Sequence, residues 1–246
     1  MGDRLYDLTV ANRGTHMTQL IIALIAFVGT HFLMSHPLRA PMVAALGTAV
    51  FQVVYSLISL ATFAWAIFAF RHAPYSMPYW LAGDLIWWIA TVLMLIGSVL
   101  FAGAFAGNPA LPRPDAGELA KAAPRGVFGI TRHPMMWGFA LWAIVHALVA
   151  SNGATLILTS AILILALGGS LGQDAKKAKL MGVSWQGWAS RTSFIPFGNQ
   201  TAGRTSWKSA WPDRMAILAG VALWLLATYL HPKFGMPVAG MWRWMG

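Results

Sequence analysis

The amino-acid sequence predicts an all-α, polytopic transmembrane helix bundle of about six spans, and three observations support that prediction. Hydrophobic residues make up 58% of the 246 residues and charged residues only 10%, whereas a soluble domain carries about 25% charged residues. Apolar segments long enough to cross a bilayer recur along the chain, and basic residues collect between them. So little charge does not cover a water-exposed surface, but lipid can face the apolar remainder. The lipid bilayer is therefore the first partner that we expect.

A transmembrane helix needs roughly 17–25 mostly apolar residues, and six segments have or approach this length. The fourth and fifth are short, and the turn sequence Ser151-Asn152-Gly153 between them predicts one helical hairpin. The six segments are Thr18–Met34, Leu46–Phe70, Asp84–Phe105, Met135–Ala150, Ala154–Leu171 and Met215–Leu230.

Residues 1–16 precede the first span and have mixed charge with no apolar run. They lack the layout of a signal peptide, and Met17 is a candidate natural start. We expect residues 1–16 to be a disordered extension or tag, and residues 17–246 to form a single transmembrane domain. Between the spans, residues 173–211 are basic and contain Trp185 and Trp188, which predicts a segment lying in the membrane interface.

The basic residues also predict the orientation. Six spans put both termini on one side, together with two of the loops. The loops on the other side carry twelve Lys and Arg residues, and the side of the termini carries five. The positive-inside rule then places the long loops at residues 106–133 and 173–211 in the cytoplasm of a bacterial inner membrane, with the termini outside. This bias accounts for the formal net charge of +10, so no nucleic-acid partner is expected.

Two histidines stand out because ionisable groups at membrane depth are costly and tend to be functional. His31 lies in the second half of the first span, and His146 lies deep in the fourth. At 1.5 Å per residue both fall near mid-membrane, within roughly 6 Å in depth. Phe27 flanks His31 at helical spacing, and Phe139 and Trp142 flank His146. Such surroundings suit axial ligands of a flat apolar macrocycle, although an interhelical hydrogen bond from each histidine is the alternative.

The chain has no cysteine, which excludes iron–sulfur clusters, zinc thiolates and Cys nucleophiles. Its most specific string is Gly126–Gly138, in which Arg132 and His133 precede a helix that begins near Pro134. Two interpretations stay open, an interfacial anchor with a helix cap and a site for a charged ligand. His133 and His146 are 13 positions apart, hence about 220° around a helix and roughly 20 Å along it, so they cannot share one site.

This string, followed by Leu141-Trp142, His146 and Asn152-Gly153, resembles the NnrU family, which includes the plant and cyanobacterial 15-cis-zeta-carotene isomerases. The resemblance extends from about Met17 to Pro232. Its other matching residues are His31-Phe32-Leu33-Met34-Ser35, Arg39, Trp185, Phe194-Ile195-Pro196-Phe197 and His231-Pro232.

The resemblance implies a heme b protein in which His31 and His146 are the metal ligands and catalytic residues, and His133 is not a ligand. It implies isomerisation of the 15-cis double bond of an apolar polyene by redox-controlled heme ligation. The bacterial NnrU branch is instead associated with nitric oxide and denitrification, which leaves a non-enzymatic heme sensor or accessory protein as an alternative. The cofactor-binding set that we expect is His31, His146, Phe27, Phe139, Trp142, Arg39, Arg132 and His133.

A rival resemblance is to membrane S-adenosylmethionine-dependent methyltransferases, which share the Arg-His-Pro string and a late basic segment that ends in Ile-Pro. Under that alternative, Arg132, His133 and Asp174 would hold the cofactor. Gln173-Asp174 stands where those enzymes usually have Glu, and His31 and His146 would have no role.

Overall fold

The computed structural model describes residues 2–74 and 76–245, with the backbone alone at residues 2–13. Every regular element in these ranges is a helix and none is a strand, which confirms the all-α prediction. The α-helices are α1 (Gly2–Ser35), α2 (Arg39–His72), α3 (Asp84–Gly103), α4 (Ala116–Lys121), α5 (Pro134–Val149), α6 (Gly153–Met181), α7 (Val183–Arg191), α8 (Gly198–Thr201) and α9 (Arg214–Leu230). Short 3-10 turns occupy Gly126–Gly129, Trp207–Ala210, His231–Phe234 and Gly240–Trp244.

Five segments of the described chain are long and apolar enough to cross a membrane. They are Gly14–Ser35, Arg39–His72, Asp84–Gly103, Gly153–Met181 and Arg214–Phe234. The sixth expected span is helix α5, which is apolar but has only 16 residues. Its length of about 24 Å is less than the roughly 30 Å of a hydrocarbon core.

Two helices differ from their predicted bounds for local reasons. Helix α2 begins at Arg39, seven residues before the predicted start at Leu46, and its backbone is interrupted at Gly47 with φ 77°. Glycine adopts this left-handed conformation without a steric penalty, so the chain changes direction there. Helix α6 continues ten residues past the predicted end at Leu171, to Met181. Apart from Gly172 and Asp174, residues 172–181 are good helix formers, and the next break is Gly182 at φ 53°.

The structure does not test the prediction made for residues 1–16. Helix α1 begins at Gly2. Since no side chain is described before Gly14, the expected extension or tag at residues 1–16 lies largely outside the described part and stays a prediction.

The chain divides into two compact units, neither of which is continuous in sequence. The first comprises Met1–Leu81 with Ala150–Leu165, and the second comprises Ala82–Val149 with Ala166–Gly246. In the first unit, α1 packs on α2. The buried core of the first unit consists of Leu20, Ala23, Leu24, Ala66, Ala69 and Ala154.

Hydrogen bonds close the first unit at the turn between α5 and α6. The hydroxyl of Ser151 accepts from the backbone N–H of Trp80 at 3.0 Å and donates to the Trp80 carbonyl at 2.7 Å. The Ser151 carbonyl accepts from the N–H of Tyr79 at 3.1 Å. The N–H of Gly153 donates to the Ser76 hydroxyl at 3.2 Å. The predicted tight turn is therefore also the partner of residues 76–80.

In the second unit, α3 packs against both α5 and α9, and glycines allow the backbones to approach closely. A Cβ atom added to Gly138 would lie 2.9 Å from the Gly97 carbonyl oxygen. One added to Gly220 would lie 2.5 Å from the Cα atom of Val99. These positions therefore fix how closely the helices of this unit pack.

The basic segment at residues 173–211 begins inside α6 and continues through α7 and α8. Trp185 and Trp188 of α7 are each 2% exposed, and Trp188 packs edge-on against Phe128 with ring centroids 5.7 Å apart. They belong to the core of the second unit, and the position of the segment in the membrane interface stays a prediction. Their apolar face contacts protein, a distinction that composition does not make. Trp207 and Trp211, in contrast, are 62% and 75% exposed.

The close approach at Gly220 makes a testable prediction. Gly220→Ala should destabilise the protein by about 1–3 kcal/mol, because the new methyl group meets backbone that cannot rotate away. Gly169→Ala is the matched control, since a Cβ atom there meets nothing within 4 Å. Thermal unfolding in detergent should show a lower midpoint for Gly220→Ala alone. Equal midpoints for the two variants would contradict the packing described.

Candidate functional site

His31 lies in the first unit, four residues before the end of α1 at Ser35, and its side chain is half-buried. Its Nδ1 atom is 2.7 Å from the carbonyl oxygen of Phe27. Because a carbonyl only accepts, Nδ1 carries the proton and donates, and Nε2 keeps its lone pair. Nε2 is then the atom that this imidazole offers to a metal.

Aromatic rings surround His31. Phe27 is 7% exposed and meets the imidazole edge-on, with ring centroids 4.5 Å apart. Tyr55 of α2 meets it from another side at 5.6 Å, and the Ser35 hydroxyl donates to the Tyr55 oxygen at 3.2 Å. Sequence reasoning missed Tyr55, although aromatic residues at Phe51 and Tyr55, four positions apart on α2, were a usable signal.

Arg39 is the first residue of α2 and the cation of this cluster. Its guanidinium carbon lies 5.9 Å from the ring centroid of Phe51, which in turn lies 6.1 Å from the ring of Tyr55. Arg39 forms no ion pair with any residue that the structure describes. Its charge therefore remains available for an anionic group.

His146 lies in the second unit, three residues before the end of α5, and is also half-buried. Its Nδ1 atom lies 2.7 Å from the carbonyl oxygen of Trp142, so Nε2 again keeps its lone pair. The Trp142 ring stacks on the imidazole at 4.1 Å. Phe139, expected beside the cofactor, is 40% exposed and packs edge-on against Phe101 of α3 at 5.4 Å.

A third histidine, His72, makes the same hydrogen bond to its own helix. His72 places Nδ1 2.8 Å from the Phe68 carbonyl oxygen and has the Phe68 ring 4.2 Å away, yet its side chain is exposed. The hydrogen bond to the preceding helical turn is therefore not specific by itself. Among the three histidines with this hydrogen bond, half-burial of the imidazole separates His31 and His146 from the exposed His72, which is their matched control.

A different polar cluster lies at the start of α5 in the second unit. Asp174 of α6 accepts from Arg132 through one oxygen, at 2.8 Å from Nε and 2.6 Å from Nη2. Its other oxygen lies 2.8 Å from Nε2 of His133, whose side chain is only 1% exposed. His133 is thus buried and paired, whereas the two interpretations of the string, an interfacial anchor with a helix cap and a site for a charged ligand, stay predictions. As expected, His133 precedes α5 while His146 lies on it, which separates them by roughly 20 Å.

The string Phe194-Ile195-Pro196-Phe197 contacts this cluster through Phe194. The carbonyl of Phe194 accepts from the Thr131 hydroxyl at 2.7 Å and from the Trp137 indole N–H at 2.8 Å. The Phe194 ring also packs against His133 at 5.4 Å and faces the Arg132 guanidinium at 5.5 Å. The two strings that carry the family resemblance are therefore in direct contact.

A cavity of about 30 Å³, enough for one water molecule, adjoins the cluster. It is lined by Asn108, Ala110, Leu111, Arg132, His133, Met135, Met136 and Gln173. Lys177 of α6 donates to the Pro109 carbonyl at 3.0 Å, which links α6 to the neighbouring loop. Asp174 was recognised in the sequence only for the methyltransferase alternative. It is the only acidic residue between Glu118 and Asp213, which could have marked it as a paired charge.

Fold and site together define an integral membrane helical protein in which His31 and His146 are half-buried in apolar helices and Arg132, His133 and Asp174 form a buried cluster. The chain belongs to the NnrU protein family, whose model matches residues 19–238. It is also similar to the chloroplastic 15-cis-zeta-carotene isomerase of Arabidopsis thaliana, with 31% identity over 110 residues. That match covers 44% of this chain and 30% of the isomerase's own length. No solved structure matches the chain.

Proposed function

We propose that this NnrU-family protein binds heme b within the membrane and that His31 and His146 would each supply a ligand to its iron. The observation that carries the proposal is that the two imidazoles make the same hydrogen bond. Each half-buried imidazole donates from Nδ1 to a carbonyl four residues earlier and keeps Nε2 for a metal. The described residues contain no group of three or more His, Cys, Asp or Glu placed to hold a metal ion. Two histidines suffice for heme, whose macrocycle itself provides four nitrogens.

The residues present fit such a group. The Nδ1 hydrogen bonds fix the tautomer and the orientation of each ring and raise the basicity of Nε2. Phe27 and Trp142 provide apolar ring surface next to the two imidazoles. For the heme carboxylates, Arg39 is the better partner of the two expected arginines, because Asp174 already engages Arg132.

A bound heme supplies an iron that changes oxidation state and exchanges axial ligands. We propose that the protein uses it for cis–trans isomerisation of an apolar polyene such as 15-cis-zeta-carotene. The support is the partial similarity to the Arabidopsis isomerase, together with the apolar surroundings of both histidines. A membrane-dissolved polyene reaches such surroundings from the lipid without passing through water. A heme sensor or accessory protein for nitrogen-oxide respiration is the non-enzymatic alternative.

The methyltransferase alternative has weaker support. The three residues that it requires, Arg132, His133 and Asp174, do come together. However, the Asp174 carboxylate is already engaged by both Arg132 and His133, so this charged cluster is paired within itself.

The decisive experiment is the absorption spectrum of the detergent-purified full chain, expressed with an adequate heme supply. A Soret band and extractable heme b at about one per chain are expected. A purified, folded protein that has no Soret band, even after added hemin, would refute the heme proposal. Binding of labelled S-adenosylmethionine by that protein would favour the methyltransferase.

We also propose that residues 106–133 and 173–211 face the cytoplasm of a bacterial inner membrane and that the termini lie outside. The support is the excess of basic residues in these loops, twelve against five. Fusions of a periplasm-dependent phosphatase after Asn108 and after Gly198 should be inactive. A fluorescent protein that folds only in the cytoplasm should be active at both positions. The reverse pattern at both sites would invert the topology.

A further inference from the structure

His231 lies beside His146 in the second unit. The centroids of their imidazole rings are 6.2 Å apart, and the ring planes are inclined by 63°. The two residues come from separate elements, since His146 belongs to α5 and His231 begins the 3-10 turn that follows α9. His231 is half-buried, as His146 is.

Independent contacts position the two residues. The ring of Trp142 stacks on His146 at 4.1 Å. The turn that contains His231 is closed by Gly235, which has φ 74° and donates its N–H to the Pro232 carbonyl at 3.2 Å. The N–H of Met236 donates to the His231 carbonyl at 3.1 Å. The separation of the two rings therefore follows from the fold of this unit.

That separation matches the one that a shared metal requires. A ligating imidazole nitrogen lies about 2.0–2.1 Å from its metal, and the centre of the ring lies about 1.1 Å further away. Two imidazoles on opposite sides of one iron thus have ring centroids roughly 6.3 Å apart. The inclination of the rings is no obstacle, because axial imidazoles can rotate about their bonds to the iron.

We propose that His231 is an alternative heme ligand. It can bind the iron together with His146 when His31 is not bound to it. The inference rests on the proposed function, because it needs the heme that His146 would bind. It gives the chain three candidate ligands for two axial positions, with His146 as the constant one.

The test compares the heme-loaded full chain with His31→Ala, His231→Ala and the double variant, and uses His72→Ala as the exposed-histidine control. The readouts are the ferric absorption and electron paramagnetic resonance spectra and the ratio of heme to protein. His31→Ala is expected to shift the Soret band but to keep six-coordinate, low-spin iron. The double variant should become high-spin and lose more than the 10–100-fold in heme affinity that removal of an outer-shell partner typically costs. Added imidazole should restore its low-spin spectrum, which would show that the protein is folded.

Two results would overturn the inference and leave the proposed function intact. One is five-coordinate, high-spin iron in His31→Ala at normal heme content. The other is a double variant that cannot be distinguished from His31→Ala. A His146→Ala protein with the wild-type spectrum and heme content would refute the proposed function itself, and the inference with it.

Discussion

The His146→Ala protein is expected to reach the membrane and to lose the Soret band of the parent protein. His146 is held by a 2.7 Å hydrogen bond to the Trp142 carbonyl and by stacking on the Trp142 ring, so the ring is fixed with Nε2 left for a ligand bond. Removing a ligand should cost more than the 10–100-fold in metal affinity that losing an outer-shell partner typically costs. Spectra normalised to protein, with heme extracted into pyridine, measure this directly. His31→Ala should shift the band.

Two other histidines provide the controls for that experiment. His72→Ala removes an exposed imidazole that has the same hydrogen bond to its own helix, and it should change nothing. His133→Ala should keep the heme spectrum, because His133 pairs with Asp174 roughly 20 Å from His146. Complete loss of heme in a folded His133→Ala protein, with heme retained in His146→Ala, would show that the ligands are assigned to the wrong histidines.

The second large effect is expected at Asp174. Its carboxylate is the shared partner of Arg132 and His133, whose side chains are 16% and 1% exposed. Asp174→Asn would leave the Arg132 charge largely buried without a counter-ion, and breaking such a pair costs about 3–5 kcal/mol. Thermal unfolding in detergent should therefore show a much lower midpoint and a smaller yield of monodisperse protein.

The matched control for Asp174 is an ion pair at the surface. Asp115 pairs with Arg113 at 2.8 Å, and their side chains are 49% and 40% exposed. Solvent screens such a pair, so Asp115→Asn should leave the unfolding midpoint unchanged. If Asp174→Asn unfolds at the same temperature as Asp115→Asn, the buried cluster does not stabilise the fold.

Long apolar segments predicted the helices well, because a span is specified by local composition. Helix α3 begins at Asp84 as expected, and α5 and α9 begin one residue before the predicted Met135 and Met215. The prediction of a loop from Gln173 was wrong. Positive charge identifies a segment at the membrane surface but does not distinguish a loop from a helix that continues beyond the bilayer.

The site was predictable only where one helix decides the contact. The neighbours Phe27 and Trp142 follow from a spacing of four residues on the same helix as each histidine. Tyr55 and the partnership of His133 with Asp174 depend on how separate helices pack, and 41 residues separate the two members of that pair. Whether His31 and His146 share one iron and lie at the same depth remains a prediction.

The hydrogen bonds between Ser151 and Trp80 have a consequence for biosynthesis. The two residues are 71 positions apart, and residues 150–165 complete a unit that otherwise ends at Leu81. At about 5–20 residues per second, the ribosome needs roughly 4–14 s to supply the missing piece after Trp80 has been made. During that interval the nascent chain carries an incomplete first unit while the whole stretch of residues 82–149 is inserted. A chain that stops before Ala150 lacks part of both units, so neither unit can complete its fold until the segment that begins at Ala150 has been made.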